Sequence, residues 1–154
     1  MTDFTTGAGA TFSLSATAPG TYNQAGYEAL TFTEVGKMTD IGQIPSRVYG
    51  VVALKYIKSS GTDKAKGSYD LGNQTITVAL DAADAGQILL ATATNSTSAY
   101  SIKLDHPILG TIYARALVMG GPKVWGDNDT PATQQITIEY KMASATDDGI
   151  VTVA

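Results

Sequence analysis

The side chains that could carry out acid–base or nucleophilic chemistry are few in this sequence. His106 is the only histidine, and a catalytic histidine needs a partner group within hydrogen-bonding distance. Asp105 adjoins it, but consecutive residues of a strand point to opposite faces of the sheet. The GxSxG pattern of a serine nucleophile elbow does not occur. We therefore interpret His106 as a turn residue before Pro107, and the sequence predicts no catalytic residue and no enzymatic activity.

Oxygen ligands for a cation are concentrated in residues 127–130 (DNDT). A calcium loop of the EF-hand type also needs a central glycine and a terminal glutamate, and both are missing here. The segment is more typical of a turn in which a carboxylate accepts backbone hydrogen bonds. Gly7 and Gly9 precede a strand and lack the GxGxxG spacing and the following helix of a dinucleotide site. We predict no metal site and no cofactor.

Basic residues form one local cluster, which consists of Lys55, Lys58, Lys64 and Lys66, with Asp63 as the single acid inside it. A nucleic-acid site usually interleaves aromatic side chains and sits on a basic domain. This chain instead carries 14 acidic and 10 basic residues, a net charge of −4, and as a whole it is repelled by polyphosphate. A solvated loop, or one that meets acidic residues of a neighbouring copy, is the favoured interpretation.

The composition bounds the size and the surface of the protein. A chain of 154 residues has the usual length of one domain. Charged residues make up 16% of it, against about 25% in an ordinary globular protein, so the surface is unusually neutral and suits close self-association. There is no cysteine, and stability must come from packing alone. We find neither a secretory signal at the amino terminus nor an apolar run of the roughly twenty residues that a membrane span needs.

Alternation of apolar and polar residues with a period of two is the main structural signal. In residues 134–142 it places Ile136, Ile138, Tyr140 and Met142 on one face of a half-buried strand. Similar patterns predict the other strands. These are residues 10–16, 47–57, 74–80, 100–105, 111–119 and 149–153, with a further extended region at residues 27–41.

Turn residues predict the connections between these strands. Gly72 and Asn73 suit a two-residue β-hairpin whose first residue has a positive φ. Residues 58–67 are polar and lack apolar periodicity, which predicts a loop. Trp125 and the eight tyrosines lie mostly in or beside strands, which favours a role in the core or in a subunit interface.

One segment has the pattern of a helix, at about residues 82–94. Asp81 is placed to cap the free amide groups, and Asp84 adds negative charge to the first turn. A helix of this length is not stable alone, so it must dock an apolar stripe on the sheet. The predicted stripe consists of Ala85, Ile88, Leu89 and Thr92.

The order of these elements predicts the fold class. Strands, one helix and more strands give an α+β count in which sheet dominates. We predict a mainly β fold, a small β-sandwich or barrel with one flanking helix at about 82–94. Residues 1–9 are small and polar and predict a flexible amino-terminal arm. Residues 10–154 predict a single domain.

Separate segments of the chain resemble one protein family. Residues 27–42 (YEALTFTEVGKMTDIG) are similar to the GYEALTFTEVGEVTDIG signature of tail tube proteins of long-tailed bacteriophages, the major tail protein family. Residues 66–72 (KGSYDLG) and 81–87 (DAADAGQ) resemble that family's KGSYDDGS and DPADAGQ segments in the same order. The resemblance spans nearly the whole chain.

This resemblance implies a structural virion protein with the β-sandwich or barrel-like tail tube fold. Six copies form a ring, rings stack into a tail tube, and DNA passes through the tube without specific binding. The implied partners are further copies of the chain, the tape measure protein and the tail terminator protein. The implied location is the virion tail, after synthesis in the bacterial host cytoplasm. The immunoglobulin-like carboxyl-terminal domain of some relatives is not expected, because the chain ends soon after its last predicted strand.

The resemblance also implies that a loop between early strands reaches the next ring. In this sequence the inter-ring loop corresponds to Ser59, Ser60, Gly61, Thr62, Asp63, Lys64, Ala65 and Lys66. A conduit for DNA should repel phosphate weakly, as an acidic, threonine-rich wall would. Candidate lumen-facing residues lie opposite the apolar faces of their strands. They are Thr75, Thr77, Thr137 and Glu139.

A second class of function remains open beside this one. The alternative is a sugar-binding β-sandwich, a virion domain for receptor recognition, because aromatic side chains near polar loops bind carbohydrate. Trp125, which precedes the polar loop of residues 126–133, is the side chain on which such a site would depend.

Overall fold

The protein is mainly β. A computed structural model describes residues 3–154, which form eleven strands and two helices. The strands are β1 (Thr11–Ser15), β2 (Thr33–Glu34), β3 (Met38–Asp40), β4 (Val48–Leu54), β5 (Asp63–Asp70), β6 (Asn73–Ala79), β7 (Tyr100–His106), β8 (Gly110–Gly120), β9 (Lys123–Val124), β10 (Thr133–Tyr140) and β11 (Val151–Val153). The helices are α1 (Gln24–Glu28) and α2 (Ala85–Thr94).

Nine of the strands form one curled, antiparallel sheet. Its main path runs β2-β1-β7-β8-β10-β6-β3, with β11 added beside β8 and β9 beside β10. The sheet curls into a half-barrel, so the predicted mainly β, barrel-like fold is confirmed. The two remaining strands, β4 and β5, pair with each other in a separate two-stranded sheet.

The predicted alternation positions the core. Ile136, Ile138 and Tyr140 of β10 are buried on the concave side of the sheet, where Ile76 of β6 lies opposite Ile136 in the register. A buried hydrogen bond crosses this core, because Tyr140 Oη donates to Gln74 Oε1 at 2.8 Å. Period-two patterning therefore identified the buried face of these strands correctly.

Helix α2 fills the concave side by packing against β8, β1 and β2. The helix begins three residues later than Asp81 suggested, since Asp84 is the N-cap and accepts from Gln87 N at 2.9 Å. The predicted apolar stripe was correct for Leu89, which packs against the core. It was wrong for Ala85, Ile88 and Thr92, which are exposed, with Ile88 at 54%. The buried residues of the helix are Gly86, Leu90 and Ala93.

Gly86 explains why the buried face is displaced. A Cβ at this position would lie 2.2 Å from the carbonyl oxygen of Glu34 in β2. The helix backbone therefore approaches the sheet more closely than any other residue type would allow. The side chain of Asp84 adds a second link, because its Oδ2 also accepts from Gly36 N at 3.1 Å.

The convex side of the sheet is covered at one end by α1, whose last two residues, 27 and 28, fall in the region predicted to be extended (residues 27–41). Asn23 caps this short helix and accepts from Gly26 N at 2.9 Å. Tyr27 is fully buried, stacks on Tyr113 of β8 with ring centroids 5.3 Å apart, and donates to the Gly149 carbonyl oxygen at 2.7 Å. A helix of five residues is too short to show a 3.6-residue period, which explains the wrong prediction.

The predicted hairpin at Gly72 and Asn73 is also wrong. Gly72 has a positive φ of 83° as expected, but the strands on either side of it do not pair. β5 pairs with β4, whereas β6 pairs with β10 and β3. Gly72 thus marks the point where the chain passes from the two-stranded sheet into the half-barrel.

Residues 58–67 are only partly a loop. Their second half, from Asp63 onward, belongs to β5, and Lys66, Ala65 and Lys64 pair with Val51, Val52 and Ala53 of β4. Residues 63–67 of this strand are mostly polar and show no apolar alternation, which is why the sequence pattern suggested a loop. We refer to residues 47–70 as the projecting hairpin and to the remaining described residues as the sheet body.

Candidate subunit interface

The projecting hairpin exposes apolar side chains that have no core to enter. Its strands pack extensively only against each other, and every residue of β4 is exposed. An isolated two-stranded hairpin is at best marginally stable in water, and contiguous exposed apolar surface marks sites of interaction. The exposed apolar residues of the hairpin are Val48, Tyr49, Val51, Val52, Leu54, Tyr56 and Ile57.

Aromatic and cationic side chains stiffen the root of the hairpin. The rings of Tyr49 and Tyr69 meet edge to face with centroids 5.2 Å apart. Lys66 Nζ lies 4.7 Å from the centroid of the Tyr49 ring, and Arg47 Cζ lies 4.9 Å from that of Tyr69. Cations over aromatic faces are attracted by the ring quadrupole, so these four side chains hold the two strands in one arrangement.

An ion pair joins the hairpin root to the sheet body. Arg47 Nε donates to Asp148 Oδ2 at 2.6 Å, and the side chain of Asp148 is only 8% exposed. The other carboxylate oxygen, Oδ1, accepts from Ile150 N at 3.1 Å. The hydrogen bond with Asp148 is the largest cause that raises the pKa of Arg47 above its ordinary value. The hairpin therefore leaves the sheet body from a fixed point just before β11.

Charge is divided unequally between the two regions. The projecting hairpin contains five basic and two acidic residues, while the other 130 residues of the chain contain five basic and twelve acidic residues. The hairpin is thus positive and the rest of the molecule is strongly negative. Opposite charge on two surfaces of one subunit favours contact between the hairpin of one copy and the body of another.

A groove opens on the sheet body beside β3 and the β7–β8 turn. Its volume is about 600 Å³. Asp40 and Asp105 are among the residues that line it, and no lysine or arginine of the described chain lines it. The apolar residues of the lining are Met38, Ile41, Ile44, Leu104, Leu109 and Ile112, together with the alanines of residues 8–10.

His106 builds one wall of this groove. Its Nδ1 accepts from Ile108 N at 3.1 Å and from Leu109 N at 3.0 Å. With Nδ1 acting as an acceptor, Nε2 carries the proton and donates to the Thr6 carbonyl oxygen at 2.7 Å. The predicted turn at this point is confirmed at residues 107–109, with His106 as the last residue of β7 immediately before it. This side chain fixes the β7–β8 turn and also holds the amino-terminal segment against it.

The predicted amino-terminal arm begins with Met1 and Thr2, which lie outside the described residues. The rest of it, residues 3–9, contains neither helix nor strand. Thr6 accepts the bond from His106, and Ala10 N donates to the Gly7 carbonyl oxygen at 3.1 Å. The arm thus lines the groove next to β7.

The four candidate lumen-facing residues lie together on one face. Thr75 of β6 pairs directly with Thr137 of β10, and Thr77 pairs with Gln135. Glu139 follows on the same face of β10, opposite Asn73. The neighbouring positions Ile76, Ile136 and Ile138 point into the core. The result is a polar strip on the convex side of the sheet, and its orientation toward a channel stays a prediction.

The eight residues of the predicted inter-ring loop also lie together, in the outer half of the projecting hairpin. Ser59 to Thr62 form part of the connection, and Asp63 to Lys66 form the first half of β5. Sequence reasoning missed the more apolar part of this surface. The run RVYGVVALKYI (residues 47–57) predicted a strand correctly, but an apolar run without polar alternation is typical of a strand buried on both faces. The sequence therefore contained no sign that β4 is exposed throughout.

The segment of residues 127–130 forms the predicted turn. Asp127 Oδ1 accepts from Asp129 N at 3.0 Å. Hydrogen bonding, first with the Thr130 side chain and then with the Asp129 backbone, lowers the pKa of Asp127. Within residues 3–154 no group of three or more His, Asp or Glu side chains is arranged to hold a metal ion. Trp125 is 76% exposed, so the core role is wrong for this residue.

Comparison with known proteins does not assign this chain to a family. No protein-family model matches this chain, and a search of curated proteins finds no match either. None of the helices within residues 3–154 is both long enough and apolar enough to cross a membrane.

Proposed function

We propose that this protein is a structural virion subunit that forms hexameric rings, and that the rings stack into a tail tube through which DNA passes. The observation that carries the proposal is the projecting hairpin. Its side chains Val48, Val51, Val52, Leu54, Tyr56 and Ile57 are more than half exposed in the described chain, and burial against another copy would remove them from water. The sixfold ring and the stacking follow from the resemblance of residues 27–42 and 66–87 to tail tube proteins.

The unequal charges support a directional contact. A hairpin with three more basic than acidic residues, on a chain of net charge −4, is attracted to a different surface of the next copy rather than to a second hairpin. Such heterologous contacts are not self-complementary, so they generate open assemblies unless a rotation closes them into a ring. A tube of stacked rings requires one contact that closes into a ring and another that continues from ring to ring.

The polar strip supports a channel that does not hold DNA. Thr75, Thr77 and Thr137 present hydroxyl groups, and Glu139 presents a carboxylate. Strong nucleic-acid binding depends on lysine and arginine neutralising phosphates, so a wall of this composition does not hold DNA and repels its phosphates weakly. Weak repulsion lets DNA pass during ejection. The tape measure and tail terminator proteins are the further partners implied by the resemblance, and the virion tail is the implied location.

Sedimentation velocity at rising protein concentration tests the proposal. We expect the wild-type chain to form large particles, alone or after addition of tail assembly factors. Ile57→Asp, which places a charge on a fully exposed residue of the hairpin, should keep the protein monomeric with an unchanged circular dichroism spectrum. Ile88→Asp is the matched control, because Ile88 is an exposed isoleucine of the sheet body. A wild-type chain that stays monomeric under all these conditions would contradict the proposal.

A second candidate function, sugar binding, is favoured by one observation. A cleft of about 280 Å³ on the convex side is lined by amide, hydroxyl and carboxylate groups, including Gln43, Asn73 and Gln135. Trp125 is not among its lining residues, so the aromatic platform of that hypothesis lies elsewhere. Glycan-array binding lost on Gln135→Ala but kept on Trp125→Ala would favour this cleft, and an array without any binding would remove the candidate.

A further inference from the structure

We infer that the groove beside β3 and the β7–β8 turn receives the tip of the projecting hairpin from a second copy of the chain. The tip is defined here as residues 55–58 (KYIK). This inference rests on the proposed function, because it names the surface through which the hairpin of one subunit is held by the next.

The tip and the groove match in chemistry. Tyr56 and Ile57 are exposed apolar residues, and they are flanked by Lys55 and Lys58. The groove offers an apolar lining, and its described lining residues include two aspartates but no lysine or arginine. Apolar anchors that enter a pocket, with charged pairs at its rim, are the usual arrangement of the strongest contacts in protein interfaces.

Two acidic residues flank the groove on different strands. Asp40 is on β3 and Asp105 is on β7, and several strands separate β3 from β7 in the order of the sheet. Lys55 and Lys58, on either side of Tyr56 and Ile57, are therefore attracted toward acidic residues on both sides of the groove. Such rim charges set the register of the contact more than its affinity.

The occupant must come from another chain. None of residues 47–70 lines the groove of its own subunit, and the root of the hairpin is fixed by the ion pair of Arg47 with Asp148. The seven residues of β4 span roughly 23 Å at about 3.3 Å per residue. A tip carried that far from its root is placed to contact a neighbouring molecule.

The free edge of β3 adds a backbone component. β3 ends the main path of the sheet, with β6 as its neighbour on one side, and residues 39–42 lie in the groove lining. An unpaired strand edge is a ready template for an incoming extended segment, which adds main-chain hydrogen bonds. Occupation by a second copy would therefore cover an edge that is otherwise open.

Disulfide trapping tests this contact, and the chain suits it because it has no cysteine of its own. In the variant Ile57→Cys/Leu109→Cys, each subunit carries one thiol on the tip and one on the rim of the groove. If the tip seats in the groove of the next copy, mild oxidation should produce a ladder of dimers, trimers and larger species on a non-reducing gel. The single variant Ile57→Cys should give dimers at most.

The matched control is Ile57→Cys/Thr92→Cys, in which the second thiol lies on the exposed face of α2. It should give no ladder. Particles that form normally but show no ladder with Leu109→Cys, or that show a ladder with Thr92→Cys, would overturn the groove assignment and leave the proposed function standing. A protein that neither forms particles nor gives a ladder would overturn both.

Mixing two variants gives an independent test without new covalent bonds. Ile57→Asp removes the apolar tip, and Leu109→Asp, at a residue that is 65% exposed, disrupts the rim. Each change should weaken self-association by about thirtyfold or more, as the loss of an interface hot spot does. Together the two variants should form only dimers, since one intact tip and one intact groove remain per pair. A mixture that stays monomeric, while Leu109→Asp alone still assembles, would contradict the inference.

Discussion

The sheet body and the projecting hairpin are built from the same residue types, yet they use them differently. In the body, Ile76, Ile136 and Ile138 alternate with polar residues and are buried. In the hairpin, Val48, Val51 and Val52 lie on β4, a strand that is exposed throughout. The difference teaches that apolar strand residues specify a fold only where another element covers them. Where no element of the chain does so, they indicate a partner.

The largest expected effect is a difference in stability between two variants. The same substitution, isoleucine to alanine, is made once in the sheet body and once in the projecting hairpin. Ile138→Ala leaves a cavity at a fully buried residue and should lower the free energy of unfolding by about 2–5 kcal/mol. Ile57→Ala, at a fully exposed residue, should change it by less than about 0.5 kcal/mol. Urea denaturation measures both. Equal losses of stability would remove the distinction between the two regions.

A smaller change in stability is expected when a glycine is replaced by alanine. Gly86→Ala improves helix propensity, but its Cβ would clash with the Glu34 carbonyl oxygen, and such overpacking costs about 1–3 kcal/mol. Gly61→Ala in the hairpin connection meets only the Ser59 hydroxyl, at 3.8 Å, and should be nearly neutral. Thermal unfolding of the two variants compares them. A Gly86→Ala protein as stable as the wild type would show that α2 does not pack on β2 as described.

An effect of similar size to that of Gly86→Ala is expected from the loss of a single hydroxyl group. Tyr140→Phe leaves the buried Gln74 Oε1 without its donor and should cost about 1–3 kcal/mol. Tyr56→Phe in the exposed tip should cost nothing measurable. A destabilised Tyr56→Phe protein, or a Tyr140→Phe protein with wild-type stability, would argue against the contrast.

The same tyrosine predicts a dependence on pH. Burial raises the pKa of Tyr140 above its ordinary value, so the folded state holds a proton that the unfolded chain loses near pH 10. The contribution of this group to stability is complete below about pH 10 and is lost as the pH rises toward the folded pKa. Unfolding free energy should therefore fall with pH above about 10 in the wild type. The fall should be less steep in Tyr140→Phe, and an identical slope in the two proteins would contradict the explanation.

The sequence predicted the sheet body better than the details that shape its surfaces. In strands such as residues 134–142, the alternation of apolar and polar residues shows which face is buried, because every residue of that face contacts the core. The start of helix α2 depended on whether Asp81 or Asp84 is the N-cap, and helix propensity alone does not decide between them. The close approach of Gly86 to Glu34 favours Asp84, and this contact joins residues that are distant in the sequence.

The position of the projecting hairpin in the chain was predictable, but its strand structure was not. The resemblance placed an inter-ring segment at Ser59 to Lys66, and these residues do lie in the outer half of the projecting hairpin. Polar residues in β5 concealed its strand, since no apolar period marks a strand without a buried face. The groove could not be predicted, because residues 5–11, 38–44 and 104–112 are brought together only by the curl of the sheet.

Electron microscopy of the purified chain, imaged with and without tail assembly factors, tests the central claim most directly. The account predicts hollow tubes of stacked rings in the wild type and single particles in Ile57→Asp. In a reconstruction, each hairpin should contact a neighbouring copy, and the strip that contains Thr75, Thr137 and Glu139 should face the channel. Dispersed single subunits at every concentration, or a channel wall formed by lysine and arginine, would contradict it.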